Sequence, residues 1–134
     1  MKYVWTQDLE TGNEIVDKQH KALIEAFNSL LDASMKGYGR QELGQTINFL
    51  AEYTKKHFSD EEALQVRYRY PDYKRHKKLH DDFNITVQEL CGKLMEEGPT
   101  LSLLGRVNRE MGDWLINHIK GEDKILAEYI KKYT

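Results

Sequence analysis

Apolar side chains recur along this chain at alternating steps of three and four residues, the spacing that keeps them on one face of an α-helix. Val16, Leu23, Phe27 and Leu30 follow that rhythm, with His20 set among them. They predict a first helix from about Asp17 to Lys36, closed by the glycine stop Gly37-Tyr38-Gly39. A second stripe, Leu43, Ile47, Leu50, Thr54, His57, Glu61 and Leu64, predicts a helix from about Arg40 to Arg67. A third stripe, His76, His80, Phe83, Val87, Leu90 and Leu94, predicts a helix that starts near Pro71 and stops before Glu97-Gly98-Pro99. Leu104, Val107, Met111, Trp114 and His118 predict a fourth from about Leu101 to Lys131. No strand-like alternation, internal repeat, low-complexity tract or linker interrupts them. Four long amphipathic helices with short connections imply an all-α, up-down-up-down four-helix bundle. Residues 1–134 form one expected domain, with 1–13 an N-terminal arm laid on the bundle and anchored by Trp5.

Composition adds boundaries. With 134 residues, 40% hydrophobic and 31% charged, the chain is sized for one domain with a real core. Its 20 Lys+Arg against 22 Asp+Glu give a net charge of −2, no basis for nucleic acid or an anionic membrane as partner. No segment reaches the length of a membrane span, and the first residues lack a signal-peptide core. Cys91 is the only cysteine, so no internal disulfide forms, which fits a reducing compartment. A cytoplasmic monomer is the expectation.

The candidate chemistry lies in the phase of the histidines. All five, His20, His57, His76, His80 and His118, fall on apolar stripes where leucine would ordinarily sit. His57 has Glu61 one turn later, and His76 has His80 one turn later. Burying such groups unpaired costs about 2 kcal/mol or more apiece, against a net stability of about 5–15 kcal/mol for a domain. A metal site offsets all of these costs together. Five imidazoles and two carboxylates, without thiolate, exclude a cysteine-type structural zinc site and exceed the needs of one ion. Two ions sharing the carboxylates fit better. The ligand type suits iron without excluding zinc, manganese or copper. If two octahedral ions share both carboxylates and a solvent-derived oxygen, three histidines complete one ion and two leave the other with an open position. The fourth-helix carboxylate is ambiguous. Four residues after His118 lies Glu122, in phase with the stripe; Asp123 lies about 140° away on an ideal helix. Asp123 faces the site only if the turn widens, as in a π-bulge, which Gly121 would ease.

These motifs, with their flanking words IVDKQH, HFSDEE, YPDYKRHKKLHDDF and WLINHIKGED, resemble the hemerythrin family over nearly the whole chain. The resemblance implies a bundle holding a non-haem, oxo- or hydroxo-bridged pair of iron ions that cycle between Fe2+ and Fe3+ and bind dioxygen reversibly. Carried over position by position, His76, His80 and His118 would hold the coordinatively full iron. His20 and His57 would hold the iron with the open position, and Glu61 and Asp123 would bridge the two. Leu23, Phe58, Trp114, Leu115 and Ile119 lie one helical step from these residues and are candidates to line a dry dioxygen pocket, as well as ordinary core. Gln65 departs from the methionine many relatives carry, with altered packing or solvent access the expected consequence. The tyrosine-rich run around Tyr68, Tyr70 and Tyr73 and the basic cluster Lys74, Arg75, Lys77 and Lys78 read as surface, and Cys91 as a small buried hydrophobe.

The leading functional reading is therefore a dioxygen carrier, store or supplier, not an enzyme. Its partners would be dioxygen and an oxygen-using enzyme or a reductase. An oxygen or redox sensor, and a di-iron enzyme turning over peroxide or nitric oxide, remain as alternatives. Ferritin-like iron storage ranks last, because such sites use more carboxylates.

Overall fold

Asn13 starts the first long helix. Its backbone is extended and its side-chain oxygen accepts from the Val16 N–H at 3.0 Å, satisfying a donor that the first turn leaves free. The helix, α1 (Glu14–Met35), thus begins three residues before the position the apolar stripe suggested. Asp17 has another role. Its carboxylate takes the Thr11 backbone N–H at 2.9 Å and the Thr11 hydroxyl at 2.8 Å, pinning the arm where it enters the helix. This computed structural model describes residues 2–133; Met1 and Thr134, the two ends of the expected domain, lie outside the described residues.

Gly37, at φ 90°, turns the chain out of α1 in a conformation other residues adopt only under strain. The second helix, α2 (Gly39–Arg67), runs back along the first. Arg69, at φ 53°, and the buried Tyr70 then reverse the chain, and Pro71 belongs to this turn. The third helix, α3 (Tyr73–Glu97), accordingly starts two residues later than the proline suggested. Thr100 caps the last helix by accepting the Leu103 N–H at 3.1 Å. That helix, α4 (residues 101–131), is continuous but contains two widened π-helical stretches, Arg106–Met111 and Ile119–Asp123.

The donors identified in sequence lie in the first part of α1 and α3 and the last part of α2 and α4. In an antiparallel alternation of helices those parts share one end of the bundle. Leu30, Leu43, Ile47, Leu90 and Val107, all wholly buried, come from the opposite parts and form a dry core. At roughly 1.5–3 kcal/mol per fully buried aliphatic side chain, this half carries the cost of a polar half. Among the described residues there is no strand.

The arm is fastened at several points. Tyr3 exchanges two hydrogen bonds with Asn28, each at 2.8 Å, and its hydroxyl donates to Asp113 at 2.9 Å. Its ring seats against Gly112, where a Cβ would lie 2.8 Å from a ring carbon. Trp5 packs on the core with Lys21 over its ring, and Leu9 is buried. Cys91 is only half-buried, not sealed in the core. Lys77 and Lys78 pair with Asp81 and Asp82 one turn on, along the exposed face of α3.

Candidate metal centre

Seven side chains from four helices meet at the polar end of the bundle. His20 comes from α1, His57 and Glu61 from α2, His76 and His80 from α3, and His118 and Asp123 from α4; none is more than 5% exposed. Their donor atoms form two groups, each within 4.8 Å throughout. One comprises Glu61, His76, His80, His118 and Asp123; the other comprises His20, His57, Glu61 and Asp123. The two carboxylates belong to both.

The carboxylate oxygens are divided between the groups. Glu61 turns Oε1 toward His76 Nε2 at 3.2 Å and His80 Nε2 at 3.1 Å, and Oε2 toward His20 and His57 Nε2 at 3.8 and 3.7 Å. Asp123 turns Oδ1 toward His76 and His118 Nε2 at 3.1 and 3.3 Å, and Oδ2 toward His20 Nε2 at 3.1 Å. The widened turn Ile119–Asp123 makes this reach available. It brings Asp123 inside and leaves Glu122 outside, paired with Arg75.

Hydrogen bonding alone does not satisfy this arrangement. His118 Nε2 lies 3.1 Å from His76 Nε2 and 3.2 Å from His80 Nε2, so three ring nitrogens compete for one small volume. Both ring nitrogens of His20, Nε2 of His57, and all four oxygens of Glu61 and Asp123 are buried without a hydrogen-bond partner. Each would cost about 1–3 kcal/mol if left so. Converging lone pairs on buried nitrogens and oxygens fit a pair of cations.

Charge reinforces the reading. Burial opposes the charged form of His20, but the Asp123 and Glu61 carboxylates outweigh it and raise its pKa to about 9. His76 reaches about 9 by the same balance. His57, where burial dominates, falls to about 4. Burial pushes both carboxyls up, with repulsion from Asp123 adding to it at Glu61, and the surrounding imidazoles hold both far below the usual range. Without a cation, protons on imidazole balance the two carboxylates.

The sequence model of the hemerythrin HHE cation binding domain matches residues 11–130. The chain belongs to the hemerythrin family. It is 32% identical to a bacteriohemerythrin of Stenotrophomonas maltophilia, over 97% of this chain and 82% of that one. It is 36% identical to a bacteriohemerythrin of Pseudomonas aeruginosa, over 90% of this chain and 76% of the relative. A myohemerythrin of Theromyzon tessulatum is 30% identical, over 90% and 88%. A crystal structure of a leucine-to-phenylalanine mutant aligns with a TM-score of 0.82 at 28% identity, over 94% of this chain and 95% of its own. Hemerythrins are oxygen-binding proteins, and the family implies a non-haem di-iron site.

This hemerythrin also orients its imidazoles from behind. His57 Nδ1 lies 2.7 Å from Gln19 Oε1, and Gln19 in turn donates to Asp60 at 2.9 Å. With Nδ1–H spent on Gln19, His57 Nε2 faces the centre as a lone pair. His80 Nδ1 lies 2.9 Å from Glu62 and is held the same way. Sequence reasoning missed Gln19 and Glu62. Phe58 stacks on His80 at 3.9 Å and Trp114 on His118 at 4.6 Å, fixing the ring planes. Leu23, Leu115 and Ile119 are wholly buried in the same core as Phe58, whereas Trp114 is half-buried. Among the described residues no helix is long and apolar enough to cross a membrane.

Proposed function

We propose that this hemerythrin binds dioxygen reversibly at a pair of iron ions, as a carrier, store or local supplier. The carrying observation is the division of Glu61 and Asp123 oxygens between a three-histidine and a two-histidine group. In this reading His76, His80 and His118 would hold one ion and His20 and His57 the other, with Glu61 and Asp123 shared between them and fewer donors on the two-histidine side. An iron pair held there would supply the two electrons that dioxygen takes up on binding and would recover them on release. Gln19 and Glu62 keep His57 and His80 in the tautomer that points Nε2 inward. Leu23, Phe58, Leu115 and Ile119 exclude water from the ligand side, and the Trp114 ring closes its edge. The titratable groups that line the centre are all spoken for as donors, which favours binding over turnover. The test is to load the protein with ferrous iron and cycle it between air and vacuum. A visible spectrum that appears in air and vanishes under vacuum over repeated cycles supports the reading. A single irreversible oxidation, or steady consumption of peroxide with a reductant, contradicts it.

A further inference from the structure

A second feature reaches the carboxylates of the centre from the surface. A cavity of about 190 Å³ opens between the start of α1 and the end of α4. Exposed Gly12 and Lys131 stand at its mouth, and the buried carboxylates of Glu61 and Asp123 form its floor. Val16, Leu64, Leu126 and half-buried Ala127 make most of its wall apolar, beside Asn13 and Thr11, whose hydroxyl is spent on Asp17. The Lys131 side chain crosses Gly12, its Cε 3.2 Å from where a side chain at that glycine would begin.

From these features we infer that the cavity is the path by which divalent cations reach the centre. This rests on the metal-binding reading above. An ion leaving water loses a large solvation energy unless oxygens replace its hydration shell. Leu23, Leu115 and Ile119, at most 1% exposed, offer no such oxygens on their side. The cavity ends on two carboxylates, whose oxygens its otherwise largely apolar wall does not supply. A hydrated cation is drawn in by the carboxylates and exchanges its water for their oxygens. The less accessible imidazoles take it up afterwards. Lys131 is the opposing charge at the mouth. It slows cations and can swing aside, because its stem is long and its head exposed. The cavity thus gives ions a route that ends on carboxylate oxygens, which Leu23, Leu115 and Ile119 do not offer.

The probes are Fe2+ and Co2+ mixed anaerobically with the metal-free full-length protein, with uptake followed by stopped-flow absorbance and final metal content measured separately. Lys131→Glu should load several-fold faster, with the gain shrinking as salt is added. Ala127→Phe, which fills the cavity, should slow loading by about tenfold, because uptake then waits on local opening of the helices. Both variants should reach the parent's final metal content. The exposed Lys131 substitution keeps the test sound if the aromatic variant folds poorly. Loading at the parental rate in both variants overturns the path. A parent protein that takes up no cation at all overturns the metal centre itself, a distinguishable outcome.

Discussion

Two neighbouring carboxylates, Glu122 and Asp123, have opposite fates in this protein. Asp123 is buried against three imidazoles, and Glu122 pairs with exposed Arg75 across the surface. Asp123→Ala is therefore expected to lose at least one of the two ions, measured as iron per chain. Glu122→Ala should load fully and cost no more than about 1 kcal/mol, the worth of a surface pair. Gln65 has a different problem. It is wholly buried one turn after Glu61, and both atoms of its amide lack a partner. Gln65→Met removes that burden while keeping the shape, and should raise the stability of the metal-free protein by about 1–2 kcal/mol in urea denaturation. Six of the seven donors were legible in sequence because a polar residue on an apolar stripe breaks a regular pattern; Asp123, out of phase with its stripe, came from the family resemblance. Gln19 and Glu62 were not, because each merely adjoins a donor and its partner ring lies on another helix.

At the level of elements, four helices followed from periodicity alone, and the errors fell at their ends. The cap at Asn13 was a better marker of the α1 start than the first apolar position, Val16. Of the two widened turns in α4, Ile119–Asp123 could be anticipated, because the carboxylate that the family resemblance puts at the site was out of phase by one residue. Arg106–Met111 could not. Its neighbours include Tyr3, whose hydroxyl lies 3.3 Å from the Asn108 carbonyl and whose ring lies on Gly112. That contact joins residues more than a hundred positions apart, beyond any local pattern. Gly112→Ala, by forcing a Cβ against the Tyr3 ring, is expected to destabilise the protein by about 1–3 kcal/mol and to loosen the arm. Urea denaturation reads the first effect and protease cleavage near residue 10 the second.

For the whole molecule, the polar end of the bundle is an electrostatic cost that cations remove. In the metal-free protein His20 and His76 keep their protons up to about pH 9, against an ordinary value of 6.5. Their folded values are raised, so their contribution is complete below pH 6.5 and lost as pH climbs through about 9. His57 works in the other direction. Its value is depressed to about 4, so the fold is penalised as pH falls from 6.5 through 4. Glu61 and Asp123 add a loss in stronger acid, as their depressed carboxyls take up protons. Melting curves of the metal-free protein should therefore show stability falling between pH 6.5 and 9. The loaded protein should lack that alkaline decline, because its cations have taken the place of the protons, and its metal should be released in acid. The most direct test of the centre is an iron count combined with a Mössbauer spectrum, on protein loaded with ferrous iron-57 under nitrogen and freed of excess metal. The expected result is two ions per chain in unequal surroundings, of which only one changes when azide, a small anionic ligand, is added. One ion or none per chain, in a protein that remains folded, would contradict it.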